Sequence, residues 1–366
     1  MALPPMDVSA RLDRLRVGFD SAGCEALLVT NLTNVRYLTG FTGSAGSLLV
    51  RSDGATLFTD GRYATQSSEQ LSAAGVDAEI QIGNVPEQRT ALTKSAAHLS
   101  TLGLESGHAT WAAQREYSAA LPQVQLVATE GLVEALRRVK DVGELARIEA
   151  ACAIADEALA GILPLLRDRP SERQFGIELD FAMRRAGATD VSFESIVASG
   201  PNGAKPHARP SDRRIREGDL VVLDFGALVE GYHSDMTRTL SLGEPASARL
   251  AEVVEVVRGS QAAGVSAVGP GVAARDIDEV CRAFIRDAGF GEAFVHGTGH
   301  GVGLDIHEFP ILGQTATASL EAGFVVTVEP GVYLPDEGGV RIEDTVVVTA
   351  EGCRRLTNAP KELVIS

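Results

Sequence analysis

The 366-residue chain has little that would tie it to an oxidising compartment, a membrane or a nucleic acid. Its four cysteines, Cys24, Cys152, Cys281 and Cys353, stand far apart and form no C-x-x-C pair. No disulfide framework is expected, and a reducing cytoplasm fits best. No run approaches the roughly 18 apolar residues that a membrane span needs. The start, Met1-Ala2-Leu3-Pro4-Pro5, lacks a basic stretch followed by an apolar run, so no signal peptide is expected. Positive charge is also short. A formal net charge of −16 argues against nucleic acid or an anionic membrane as the main partner, and its simplest meaning is solubility. Several signatures are missing too: G-x-x-x-x-G-K-[ST], G-x-S-x-G and H-E-x-x-H. His307-Glu308 is followed by Phe309-Pro310, which would break the helix that the last of these requires. Gly297, Gly299, Gly301 and Gly303 do not match G-x-G-x-x-G, and they surround histidines instead of opening a helix.

With 45% hydrophobic and 22% charged residues the composition is that of a globular protein, long enough for two domains. Asp7 or Ser9 is placed to cap a first helix running to about Ala22. The segments 25–30, 47–50 and 55–59 read as strands, the last two joined at Ser52-Asp53-Gly54. Alternating helices and strands up to about residue 128 suggest a small α/β domain. A charged helical stretch, Val133 to Lys140, marks the boundary, giving domains of 1–135 and 136–366. Beyond it, Leu145, Ile148, Cys152, Ala155 and Leu159 recur at helical spacing. Ser171-Glu172-Arg173-Gln174 is a capping box for a helix that stops at Gly187. Two further helices are expected over 248–268 and 276–288. Overall class is therefore α+β.

The histidines are unevenly placed. Five of seven lie between His207 and His307, and three fall in the glycine-rich segment from His296 to Glu308. Upstream stand Asp224 and Asp235; downstream stand Glu329 and Glu343. Each acid interrupts an apolar strand-like run. If Asp224 faces Asp235, the hairpin centre falls between Val229 and Glu230, next to Gly231. If Glu329 faces Glu343, the centre falls at Asp336 in Leu334-Pro335-Asp336-Glu337-Gly338-Gly339, a strong turn signal. Cross-strand partners have Cβ atoms ~5 Å apart, and two carboxylates that close repel unless a cation lies between them. With His300 as a nitrogen ligand, the set suits two metals ~3.5–4 Å apart. A lone acid in a strand is more often a hydrogen-bonded structural residue. It is the combination that points to a metal centre. His233 reads as a turn residue beside Asp235, and His98 and His108 as ordinary.

These residues resemble the pita-bread metallopeptidases, in the branch of aminopeptidase P and prolidase (Xaa-Pro dipeptidase). The similarity runs through Ser192 to Asn202 with Pro206-His207, through His296 to Glu308, and through Gly339-Val340-Arg341-Ile342-Glu343-Asp344. Asn34 to Phe41 and Thr59 to Tyr63 resemble the family's creatinase-type N-terminal domain. The resemblance implies a C-terminal pita-bread fold preceded by a smaller α/β domain. It places Asp224, Asp235, His300, Glu329 and Glu343 on the dinuclear-metal ligands, and His207, His296 and His307 around the substrate. Arg341 falls on an arginine behind the metals, with Tyr333 and Thr237 at their border. Creatinase itself works without metal and is disfavoured. So is a methionine aminopeptidase, by the extra domain and Arg341. A non-catalytic relative is disfavoured because all five ligands are kept.

The expected reaction is hydrolysis of the Xaa-Pro bond of a proline-containing peptide. Glu329 is the proton-handling candidate, and His296 or His307 the donor to the developing oxyanion. Two divalent ions per chain are expected. Mn²⁺ comes first because the donors are mostly hard oxygens, with Co²⁺ or Zn²⁺ as alternatives. The resemblance also implies a homodimer or higher homo-oligomer. A dipeptidase must hold the free carboxylate of its proline, a task suited to arginine. Arg36, Arg62 and Arg209 are the candidates, and none has a context that fixes it beside the site. The sequence therefore favours an aminopeptidase, with the dipeptidase as the alternative.

Overall fold

The computed structural model describes residues 3–361 and 364–365. The chain divides into two compact units, Pro5–Arg137 and Arg138–Ser366 with Met1–Pro4. The first unit is built on a six-stranded sheet. At its centre Ala26–Val29 is buried on both faces, parallel to Thr101–Glu105 and antiparallel to Ser47–Arg51. A continuous Ala-Leu-Leu-Val run suits that position, since neither face meets water. The single helix expected over residues 7–22 is instead two, Arg11–Arg16 and Phe19–Ala22, parted at Gly18. Its N-cap is Ala10, with no side-chain cap, while Asp7 pairs with Arg14.

The second unit holds two helix pairs, each backing its own strands. Helices Val142–Ile162 and Glu172–Arg185 both open with capping boxes, Asp141 with Glu144 and Ser171 with Gln174. Each box satisfies two orphan N–H groups and sets where the helix starts. Phe175, Leu179 and Met183 then bury with Val197, Val221 and Leu240 in one core. Helices Ala248–Ala267 and Ala274–Asp287 cover the other half. Val253, Val257, Ile277 and Ile285 pack there against Val326, Val328 and Val346. The apolar repeat from Leu145 to Leu159 lies within the first of these four helices, which the Asp141 cap starts three residues before it. Among the described residues no helix is long and apolar enough to cross a membrane.

A fully buried arginine ties the two halves together. Arg238 donates through Nη1 to the carbonyls of Thr237, at 2.9 Å, and Glu343. Its Nε and Nη2 reach the carbonyl of Ala359 at 3.0 and 2.8 Å, and Nη2 meets Asp344 Oδ1 at 2.8 Å. Lys361 Nζ holds the other Asp344 oxygen at 2.6 Å. Burial alone would raise the Asp344 carboxyl; Arg238 and Lys361 outweigh it and hold it below its ordinary range. Removing one partner of such a pair strands the other charge, at a cost of about 3–5 kcal/mol. Arg238→Met should therefore lower the denaturant midpoint sharply, whereas exposed Arg169→Met, which loses only a surface pair with Glu217, should leave it nearly unchanged. Equal midpoints for the two variants in urea unfolding would contradict this brace.

Candidate metal centre

The first acid pair sits on a hairpin whose register differs from the expected one. Leu220–Phe225 pairs antiparallel with Met236–Leu242, and Asp224 stands opposite Thr237, not Asp235. The reason is the turn. Leu228 pairs with His233 and Val229 with Tyr232, leaving Glu230-Gly231 as a two-residue loop with φ of 45° and 78°. Both residues are left-handed, as a twisted two-residue hairpin requires. The pairing is thereby displaced by two residues. A displacement of two keeps every side chain on its face, so Asp224 and Asp235 still point into one cavity. His233 is a strand residue, not a turn residue, and its Nδ1 lies 2.8 Å from Ser192 Oγ.

The second acid pair follows the expected register. Val325–Val328 pairs with Asp344–Val348, and Gly331–Leu334 with Gly338–Arg341, in one continuous alignment. Glu329 and Glu343 face each other where the two ladders meet, and the turn centres on Asp336. His300 comes from the short strand Gly299–Gly301. Its Nδ1 lies 3.0 Å from the carbonyl of Gly301, which can only accept, so the proton belongs on Nδ1. Nε2 is left with a lone pair, 3.5 Å from Asp235 and 3.4 Å from Glu329. That is the tautomer of a metal ligand.

The five expected metal ligands line one cavity of about 480 Å³ together with His207, His296, His307 and Arg341, whereas Thr237 and Tyr333 lie behind its lining. Asp235, His300 and Glu343 bring donor atoms within 4.8 Å of one another. Asp224 gives one oxygen to Arg341 Nη2 at 2.6 Å, and Glu343 gives one to Thr237 Oγ1 at 2.7 Å. The remaining oxygens, Asp224 Oδ1 and Glu343 Oε1, are buried with no hydrogen-bond partner. Burial and mutual repulsion raise the carboxyls of Asp235 and Glu343 well above their usual range, and burial pushes Glu329 up to about 8. Burial pushes His300 down to about 4. Orphaned carboxylate oxygens beside a neutral histidine lone pair are what a divalent cation would satisfy, so the donor set fits one.

Around this floor the other residues divide. Arg341 Nη1 donates to Tyr333 Oη at 2.8 Å, and the Tyr333 hydroxyl lies 2.8 Å from His296 Nε2. His296 Nδ1 is 2.7 Å from the Gly297 carbonyl. Both ring nitrogens of His296 are thus engaged, with Nδ1 the donor, and burial keeps the ring neutral by pushing it down to about 4. His307 packs edge-on against His300, with centroids 4.3 Å apart, and its ring has no hydrogen-bond partner among the described residues. His207 and Arg209 line the same cavity, where Arg209 pairs with Glu194. Arg62 pairs with Asp60 in the first unit. One pair escaped the sequence reading. Asp278 accepts from Thr298 N and Oγ1 at 3.0 Å, and Arg282 donates to the carbonyls of Phe294 and His296. The two are four apart on one helix, a spacing that marks an ion pair but not what it holds.

A buried cluster of acids and neutral histidines of this kind belongs to a metal-dependent hydrolase, and the comparisons name the class. Residues 146–350 match metallopeptidase family M24, and residues 11–139 match the creatinase/prolidase N-terminal domain. The chain is 34% identical to the Xaa-Pro dipeptidase of Pyrococcus furiosus over 97% of its own length and 99% of the relative's. An Xaa-Pro dipeptidase structure from Bacillus anthracis shares 41% identity with a TM-score of 0.92, covering 97% of this chain and 99% of that one. An X-Pro aminopeptidase structure from Thermotoga maritima shares 34% identity with a TM-score of 0.86, covering 94% and 98%. The chain belongs to metallopeptidase family M24, whose members use divalent metal ions. Its fold is the pita-bread fold preceded by a creatinase-type domain.

The acids make metal-free stability depend on pH in a definite direction. Folded Glu329 keeps to about pH 8 a proton that the unfolded chain releases near its ordinary 4.5, so its stabilisation is full below 4.5 and lost as pH rises to 8. Asp235 and Glu343 act in the same sense. His300 and His296, pushed down from 6.5 to about 4, act oppositely between those values. Above pH 6.5 the acids are unopposed. Chelator-treated protein should therefore lose thermal stability as pH rises from 6.5 towards 8. Mn²⁺ should flatten the slope. A Tm by calorimetry that stays level or rises over that window would show that the acids are not held protonated.

Proposed function

We propose that the protein is an Xaa-Pro dipeptidase whose chemistry resides in residues 136–366. The observation that carries the peptidase reading is the pair of orphaned oxygens on Asp224 and Glu343 beside the His300 lone pair. The choice of dipeptidase over the aminopeptidase favoured by sequence draws on the Bacillus anthracis and Pyrococcus furiosus relatives, which carry that name at high coverage. Two Mn²⁺ ions would be held by Asp224, Asp235, His300, Glu329 and Glu343, with Co²⁺ or Zn²⁺ as alternatives. When bound, they supply Lewis acidity and acidify a water near the scissile carbonyl.

The protein's own groups do the rest. Glu329, on the cavity floor beside His300, takes and returns the proton of the attacking water. His307, the histidine with an uncommitted ring, donates to the developing oxyanion. His296 is committed to Tyr333 and Gly297, so it orients instead of donating. Arg341 fixes Asp224 and Tyr333 together. His207 lines the proline side. The substrate is a proline-containing peptide, the compartment the cytoplasm, and the assembly a homodimer or larger; these last two rest on the unpaired cysteines and on the family resemblance.

Two experiments bear on this. His300→Ala should lose both metal and turnover, while His307→Ala should keep Mn²⁺ and lose turnover by about 10²-fold or more. Metal content by elemental analysis decides it: equal metal loss in both variants would mean His307 is a ligand. The second compares kcat/KM on an Xaa-Pro dipeptide with the same peptide extended by one residue. A dipeptidase prefers the former. Arg209 is the cavity-wall cation not engaged with the acid cluster, so Arg209→Ala should cost the dipeptide about tenfold and leave the extended peptide unchanged. Preference for the extended peptide in the wild type would restore the aminopeptidase.

A further inference from the structure

One fully buried carboxylate outside the acid cluster has no part in the chemistry above. Glu172 lies in the first turn of the helix Glu172–Arg185 and is 0% exposed. Its Oε1 accepts from Ser199 N at 2.8 Å, Ser199 Oγ at 2.7 Å and Asn202 Nδ2 at 3.1 Å. Its Oε2 accepts from Asn202 Nδ2 at 3.1 Å, Ser211 N at 3.1 Å and Ser211 Oγ at 2.6 Å. A carboxylate at a helix start is ordinarily bound by that helix's own N–H groups. Here all six contacts go to a different segment, 199–211. Ser199 ends the strand Ile196–Ser199, so one side chain joins the two ends of the loop that follows.

The backbone and a second ion pair reinforce the closure. Glu172 N donates to Arg213 O and Arg173 N to Ser211 O, both at 3.0 Å. Arg213 Nη1 reaches Ser199 Oγ at 2.5 Å and Asp219 at 2.6 Å. The middle of the loop rests on the second acid hairpin. A Cβ on Gly339 would lie 2.0 Å from the carbonyl of Gly203, so the two backbones meet because position 339 is glycine. Arg341 Nη1 donates to Pro206 O at 3.2 Å. From there Pro206, His207, Ala208 and Arg209 form one wall of the cavity. Glu172 touches none of the proposed metal ligands; it touches the anchors of the wall that faces the peptide.

We propose that Glu172 is a positioning residue for substrate: it clamps the loop 199–211 so that His207 and Arg209 meet the peptide, and it does so independently of metal binding. This rests on the peptidase reading of the cavity. The charge matters because each donor is an N–H or O–H, and an amide at this position would turn one N–H against them.

Glu172→Gln should raise KM for an Xaa-Pro dipeptide about tenfold and change kcat by less than about threefold. Mn²⁺ affinity by titration calorimetry should stay at the wild-type value. Hydrogen exchange should quicken over 199–211 and not over 220–242. Should Glu172→Gln fail to fold, Asn202→Ala carries the test, with a smaller rise in KM and the same exchange pattern. Mn²⁺ affinity falling in step with activity would overturn the proposal, as would quicker loop exchange with an unchanged KM. A wild-type protein inert on every Xaa-Pro peptide would instead overturn the peptidase reading, and exchange with Mn²⁺ affinity would then decide alone whether Glu172 holds the loop.

Discussion

Four carboxylates lining one cavity, two of them buried, are the constraint that the rest of the second unit answers to. Asp224, Asp235, Glu329 and Glu343 repel one another, and burial penalises the charges of Asp235, Glu329 and Glu343. Left alone they would protonate or push the hairpins apart. Arg341 neutralises one side, through Asp224, but leaves two oxygens unpartnered. Folding alone therefore leaves the site short of positive charge, and a divalent cation is the group that completes it. The same shortfall makes the site a place for Lewis-acid chemistry, since the field that would hold the cation is already built.

Holding acids against their repulsion requires rigid backbone, and the structure supplies it by register. Each acid lies on or at the end of a paired strand, and each pair of strands is closed by a short turn. Arg238 then bonds the carbonyl of Glu343 itself and that of Thr237, the residue opposite Asp224, without lining the cavity. It thereby joins a strand of the first hairpin to one of the second. A buried arginine is costly unless every N–H is used, and here Asp344 and the Ala359 carbonyl take the others. The Asp278–Arg282 pair does the same for the His296 segment from the helix side.

Much of this was legible in the sequence because it is local. The Ser171–Gln174 box, the Asp336 turn and the alternation of the ligand strands are all read from neighbours. The Glu329–Glu343 register followed from the turn that Pro335 to Gly339 had to make. The Asp224–Asp235 register was displaced by two, because Glu230 adopts a left-handed conformation that its side chain does not advertise. Gly18 parts the expected first helix into two, since glycine is a poor helix former and the apolar spacing runs through it unbroken. What stayed hidden is contact between distant segments. Glu172 reads as the second residue of an ordinary capping box, yet its partners, Ser199, Asn202 and Ser211, lie 27 to 39 residues away. Likewise, nothing in the one-dimensional pattern said that both nitrogens of His296 would be taken, and so which histidine keeps a free ring.

The two kinds of anchoring suggest how substrate choice is separated from chemistry. The metal floor is built from strands whose positions are fixed by ladders, so a change there alters several acids at once. The facing wall is a loop, held at its ends by Glu172 and at its middle by glycine contact with the hairpin. Its residues between those anchors, such as His207 and Arg209, carry no ladder bonds and are exposed, so they can vary without moving the floor. Relatives at similar identity bear both dipeptidase and aminopeptidase names while sharing the fold at TM-scores of 0.86 or more. A difference in peptide length that leaves the backbone so little changed is most economically placed in side chains on that wall. On the proposed reading, whether a peptide ends at its proline would be sensed by what the loop presents, and the acids beneath would not need to distinguish the two.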